Sequence, residues 1–165
     1  MAANMRRPLF LYVVVGLLLG SLSGSQSSAH EEHPAHLPDE KKDMIGFRAY
    51  LMENMGDNAK ELNDKLKAGN VAAAKLNAHA IALHATRIPD LFPAGSLSGK
   101  SRAREEIWQQ WDDFVKISQT LRDEAMRLGV AVANGNAEAV NAQARKVFGA
   151  CKSCHDKFRK PEEKQ

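Results

Sequence analysis

Apolar residues recur at three-four spacing in four stretches of the chain, with polar residues between them. That is the period of an α-helix with one buried stripe. The first stretch, residues 39–69, carries Ile45, Ala49, Met52, Met55 or Gly56, Ala59, Leu62 and Leu66 on its stripe. Asp39, just after Pro38, is the expected N-cap, and Gly69 the expected stop. The second stretch begins after Asn70, its expected cap, and is dominated by alanine, a strong helix former with a thin face. It must end near Ile88, because Pro89 disfavours helix before it. A loop rich in Pro, Gly and Ser follows, "PDLFPAGSLSGKS".

The third stretch, from about Arg102 to Ala133, puts Ile107, Trp111, Phe114, Ser118, Leu121, Ala125 and Leu128 on one side. The turn "NGN" separates it from the fourth, which Asn136 caps. There Val140, Ala144, Val147, Cys151, Cys154 and Phe158 share a side, and Pro161 opens a charged tail, 161–165. No stretch alternates with the period of a half-buried strand. Short connections make neighbouring helices antiparallel. The expected fold is therefore all-α, an antiparallel up-down-up-down four-helix bundle over residues 39–160.

Residues 1–29 have a different pattern. Arg6 and Arg7 precede an apolar run from Leu9 to Leu19, and small residues follow, ending in Ser28 and Ala29. This is the grammar of a cleaved secretory signal, and the run is short for a permanent span. An uncleaved anchor is the alternative. Export to the periplasm follows, with no stable membrane contact after cleavage. Losing the two arginines takes Lys+Arg from 23 to 21 against 20 acidic residues, a net charge of +1. A near-neutral chain with 6% aromatic residues is a poor nucleic-acid binder. Residues 30–38 form a polar tail in which His30, His33 and His36 recur at spacing three. A solvated tail is the expected reading, and a metal contact the alternative.

The two cysteines stand in "CKSCH", residues 151–155. On a helix Cys151 and Cys154 share a face, and His155 projects from the same side. A structural zinc site wants four ligands, commonly from two such knuckles, and the sequence has one. A redox dithiol normally opens a helix in a mixed fold, where the dipole lowers its pKa. A disulfide across this spacing is awkward in a helix and leaves the histidine unexplained. C-x-x-C-H is the attachment signature of c-type haem, with the thiols joined to the haem and the histidine on the iron.

"CKSCHDKFR" (151–159), "IWQQWDDF" (107–114), "LFP" (91–93) and "RAYLMENMG" (48–56) together resemble the cytochrome c-prime family, the class II c-type cytochromes, over roughly residues 39–160. The attachment motif lies near the C-terminus, unlike that of small class I cytochromes. The resemblance implies one covalent haem c, with His155 as the proximal ligand. The family divides on the sixth position of the iron. In five-coordinate, high-spin members a non-ligating side chain covers that face, and small gases such as nitric oxide or carbon monoxide bind. In low-spin members a methionine on the first helix ligates.

The distal position of the family falls at Met52, one turn after Arg48, and Met52 is also on the apolar stripe. A His155/Met52 pair would favour a higher potential. Met55 and Met44 are weaker candidates, and His79 and His84 are expected at the surface or edge of the second helix. The resemblance also implies that Arg48 lies near the haem propionates, Arg159 near the proximal face and Trp108 close to the haem. The expected function is single-electron transfer with unidentified redox partner proteins rather than catalysis. Lys146, Lys152, Lys157, Arg159 and Lys160 cluster around the attachment turn as a candidate docking patch for an acidic partner. Family members with this plan are often dimers, so a homodimer is a further expectation.

Overall fold

Helix-favouring sequence with buried stripes becomes four long helices in the computed structural model, which describes Asp39 and residues 42–97 and 101–161. The expected signal segment 1–29, the tail with His30, His33 and His36, and residues 162–165 lie outside the described residues. What is described belongs to one unit, Pro34–Gln165. The long helices are α1 (Met44–Lys67), α2 (Lys75–Arg87), α4 (Trp111–Ala133) and α5 (Ala137–Phe158). A single turn, α3 (Glu106–Gln109), precedes α4. Among the described residues there is no β-strand, only an isolated bridge between Ala103 and Arg159. The arrangement is the expected all-α four-helix bundle.

Local boundaries differ in instructive ways. The N-cap of α1 is Asp43, not Asp39: its carboxylate accepts the Gly46 N–H at 2.8 Å. The Asp39 carbonyl instead closes a turn, accepting from the backbones of Lys42 and Asp43. At the other end Gly69 stops the helix as expected, at φ 72°. Its N–H donates to Leu66 and that of Asn70 to Lys65, a Schellman closure that needs the left-handed residue between. Asn70 does not cap α2 through its side chain, because a 3₁₀ turn, Ala72–Ala74, intervenes. Asn136 does cap α5, accepting the Ala139 N–H at 3.0 Å.

The third stretch is not one helix. Gln110, at φ −127° and ψ 46°, breaks it between α3 and α4. Ile107, Phe114, Ser118, Leu121, Ala125 and Leu128 are buried as expected, but Trp111 is turned outward and is 37% exposed. The core runs through Leu51, Met55 and Leu62 of α1, Ile81 and Ala85 of α2, the α4 stripe, and Val140, Ala144 and Val147 of α5. On α1 the expected stripe is shifted. Ala49 and Gly56 are exposed, while Arg48 and Leu51 are buried.

The shift follows from what α1 faces. α1 packs on α2, α2 on α4 and α4 on α5, whereas α1 and α5 barely meet. Toward α2, α1 presents a polar seam. Buried Asn77 donates to Asn58 Oδ1 and Glu61 Oε2 and accepts from Lys65 Nζ at 2.8 Å. Such a seam is tolerable in a bundle because its polar atoms are paired. Toward α5, the first half of α1 faces a cleft.

Candidate cofactor site

The cleft has a volume of about 280 Å³. One wall is α1, through Ile45, Arg48, Ala49 and Met52. The opposite wall is the end of α5, through Cys154, His155, Phe158 and Arg159. Phe92, Ile107 and Phe114 form its apolar floor, and Ser101, Arg102 and Ala103 close one side. Residues about one hundred apart in sequence, Met52 and His155, thus line one space.

Helix geometry explains the placement. Positions 45, 48, 49 and 52 are one face of α1, and 154, 155 and 158 one face of α5. Cys151 lies one turn before Cys154 and packs half-buried against the core. Both thiols are free, and both are raised in pKa: Cys151 by burial, and Cys154 by burial and its neighbour Cys151, to about 11. At neutral pH the pair is protonated, which is the opposite of an activated redox dithiol. Among the described residues no three His, Cys, Asp or Glu side chains converge as a metal cluster.

His155 is pushed down in pKa by burial first, then by the Arg159 and Arg102 guanidiniums, against the Asp156 carboxylate. That shift favours the neutral imidazole at neutral pH, the form that offers a lone pair to a metal. The end of its helix is held by a backbone clip. Lys160 N–H donates to the Arg102 carbonyl at 2.7 Å, and Arg104 N–H to the Phe158 carbonyl at 3.0 Å. The Arg102 guanidinium donates to the Lys160 carbonyl through Nε at 3.3 Å and Nη2 at 3.0 Å.

Arg48 is 5% exposed, and burial lowers its pKa. It donates to the Ser96 carbonyl at 2.9 Å and lies 4.3 Å from the Phe92 ring centroid. Phe92 in turn packs edge-on against Phe114, with ring centroids 4.9 Å apart, and Phe114 against Phe158 at 5.3 Å. Trp108 does not line the cleft. Its indole N–H donates to the Phe92 carbonyl at 3.0 Å, so it holds a cleft residue in place.

The cleft lining therefore combines apolar rings, a thioether, a neutral imidazole, a thiol and three guanidiniums, with no carboxylate among the described lining residues. That set fits a flat apolar group bearing anionic substituents and a metal that accepts soft and nitrogen donors. Haem has these properties.

The other sequence-predicted residues are elsewhere. Met55 is core and Met44 half-buried, and neither lines the cleft. His79 is exposed on α2, and His84 bonds Asn54. In the basic group around the attachment turn, Lys152 pairs with Asp156, and Lys157 with Asp113 at 2.7 Å. Its positive charge is therefore partly offset. Sequence reasoning missed Phe92, Ser101, Arg102 and Ala103 as cleft residues. "LFP" stands out as a motif, but a loop has no period that tells which side chains turn inward.

Comparison with known proteins agrees with this chemistry. A sequence model described as Cytochrome C' matches residues 43–159. The chain is 29% identical to cytochrome c' of Rhodospirillum rubrum over 132 residues, covering 79% of this chain and 86% of that protein. It is 32% identical to cytochrome c-554 of Cereibacter sphaeroides over 121 residues, covering 70% of this chain and 75% of the relative. A solved cytochrome c' with an unusual ligand-controlled dimer dissociation superposes with a TM-score of 0.66 at 31% identity, covering 72% of this chain and 95% of the other.

Proposed function

The chain belongs to the cytochrome c' family, and on that premise we propose that it carries single electrons on one covalent haem c held between α1 and α5 with His155 and Met52 as axial ligands. The protein is a c-type haem cytochrome. When bound, the haem supplies one reversible one-electron couple. The chain's own residues hold and tune it. The Cys151 and Cys154 thiols are the covalent anchors, and the neutral His155 ring offers its nitrogen from α5. The Met52 thioether lines the same cleft from α1 and would be the second donor, soft and suited to low-spin iron. Arg48 and Arg159 place positive charge at the cleft for the carboxylates of the group. Trp108 acts through Phe92. Phe92, Ile107 and Phe114 offer the group an apolar surface, and two ligands that stay in place would keep reorganisation on electron transfer small.

Met52 and His155 lining one cleft, from helices that barely meet, is the observation that carries this reading. The protein transforms no substrate in this scheme. It works in the periplasm after export through residues 1–29, with the bundle over 39–160 as the working domain. Redox proteins of the same compartment are its partners. A second copy of the chain is a further partner, by likeness to the relative whose dimer dissociates under ligand control.

The absorption spectrum of the reduced protein, recorded with and without carbon monoxide, tests the ligation. Sharp low-spin bands unmoved by the gas are expected. Met52→Leu should give a high-spin spectrum that shifts with carbon monoxide, whereas Met55→Leu should keep the low-spin bands. A high-spin, gas-sensitive spectrum in the unaltered protein would remove Met52 from the iron and make this a five-coordinate gas-binding haem protein.

A further inference from the structure

The first helix is held to the bundle from one side. Among the described residues α2 is the one long helix on which α1 packs broadly, and α1 and α5 barely meet. What fixes α1 on α2 therefore decides which of its residues the cleft receives. The apolar stripe of α1 does not fix it. Leu51, Met55, Ala59, Leu62 and Leu66 recur turn by turn, so a slide along α2 by one turn, about 5.4 Å, sets apolar on apolar again. The same slide brings Arg48 or Gly56 to the place of Met52.

The polar seam is specific where the stripe is not. Asn77 of α2 is 3% exposed, and three α1 side chains engage its amide. Its Nδ2 donates to Asn58 Oδ1 at 3.1 Å and to Glu61 Oε2 at 2.7 Å, and its Oδ1 accepts from Lys65 Nζ at 2.8 Å. These partners span two turns of α1, so a slide of one turn breaks every one of these bonds. A further tie, His84 to Asn54 at 2.9 Å, lies along the same seam. Asn54, Asn58, Glu61 and Lys65 are centred roughly 150° around α1 from Met52. The helix is thus gripped at its back and presents Met52 at its front.

We propose that Asn77 is a positioning residue, the key that sets the register of α1 on α2 and through it delivers Met52 to the cleft; the inference rests on the reading of Met52 as the second axial ligand. A buried amide can fix helix register because its bonds are directional and apolar contacts are not. Out of register, Asn77 would be buried without partners, a penalty the stripe alone does not impose.

The test reads position and ligation separately. Asn77→Leu nearly keeps the size of the side chain and removes its bonds to α1. It is made in haem-loaded protein carrying Lys60→Cys and Leu83→Cys, exposed positions that take nitroxide labels on α1 and α2. Pulsed electron paramagnetic resonance gives the distance between the labels, and the reduced spectrum with and without carbon monoxide gives the ligation. Labelled protein with Asn77 intact should show one distance and low-spin bands. Asn77→Leu should add a second distance, shifted by up to about 5 Å, and a matching fraction of high-spin bands that move with carbon monoxide. One distance with unchanged bands overturns the proposal. So does a second distance without high-spin bands, or the reverse, since register and ligation would then be unlinked. If Asn77→Leu fails to fold, Asn58→Ala combined with Glu61→Ala removes both amide donations and is read in the same way. Failure of the underlying reading looks different: protein with Asn77 intact would itself be high-spin and gas-sensitive, and the label distances alone would then decide whether Asn77 sets the register.

Discussion

His84 shows how one side chain on the α1–α2 seam ties the bundle to pH. Its Nε2 lies 2.9 Å from Asn54 Oδ1, and that oxygen also accepts from Asn58 Nδ2 at 3.1 Å. The amide oxygen is an acceptor, so the neutral His84 ring donates through Nε2. Burial lowers the His84 pKa. A base depressed in the folded state binds its proton better unfolded, so its contribution is present above the unfolded value of about 6.5 and is lost as pH falls through the depressed folded value. Urea denaturation at about pH 7.5 and pH 5 should show a larger acid loss for the unaltered protein than for His84→Gln, which keeps a donor and cannot titrate. Equal losses would place the acid sensitivity elsewhere. At this scale the sequence was informative where a motif or stripe marked the residue. His155 and the cysteines stand in a fixed spacing, and Met52 on a stripe. Arg102 carries no such mark, and "LFP" marks Phe92 without saying which way it turns, because what makes both part of the cleft is a loop path.

The elements themselves were legible because helical period and alanine content survive any tertiary arrangement. Their ends were less so. Two aspartates precede α1, and the one nearer Pro38 satisfies the sequence rule for a cap, yet Asp43 holds the Gly46 N–H. Asp43→Ala should lower stability by about 1 kcal/mol in chemical denaturation, and Asp39→Ala by clearly less, since the Asp39 turn is made by its backbone carbonyl. The break at Gln110 was illegible for another reason. Neither Gly nor Pro marks it, and the apolar spacing from Ile107 to Phe114 runs across it as if the helix were continuous.

For the molecule as a whole, short connections announce which helices are neighbours in an antiparallel bundle, and α1–α2 and α4–α5 follow that logic. Nothing in a pattern of apolar positions announces that α1 and α5, the first and last, stay apart at one end. Their inward faces need something between them. Replacing both Cys151 and Cys154 by alanine removes covalent attachment. Hydrogen exchange on that variant should then be faster in the first half of α1 and the last turns of α5 than in the haem-loaded protein. The α2 helix, which contributes no residue to the cleft, should stay protected where it packs on α4. Uniform loss of protection would mean that the bundle stands or falls as one unit.

The bend at Gln110 has a photophysical consequence. The chain has two tryptophans, Trp108 and Trp111, and both sit on that bend. The Trp111 ring lies 5.6 Å from Phe114, a cleft residue, and Trp108 grips the carbonyl of another. All of the protein's indole emission therefore originates within a side chain or two of the cofactor wall. A strongly absorbing group in the cleft drains that emission, and protein that never received the group keeps it, so the bend acts as a built-in lamp whose brightness reports whether the cleft is filled.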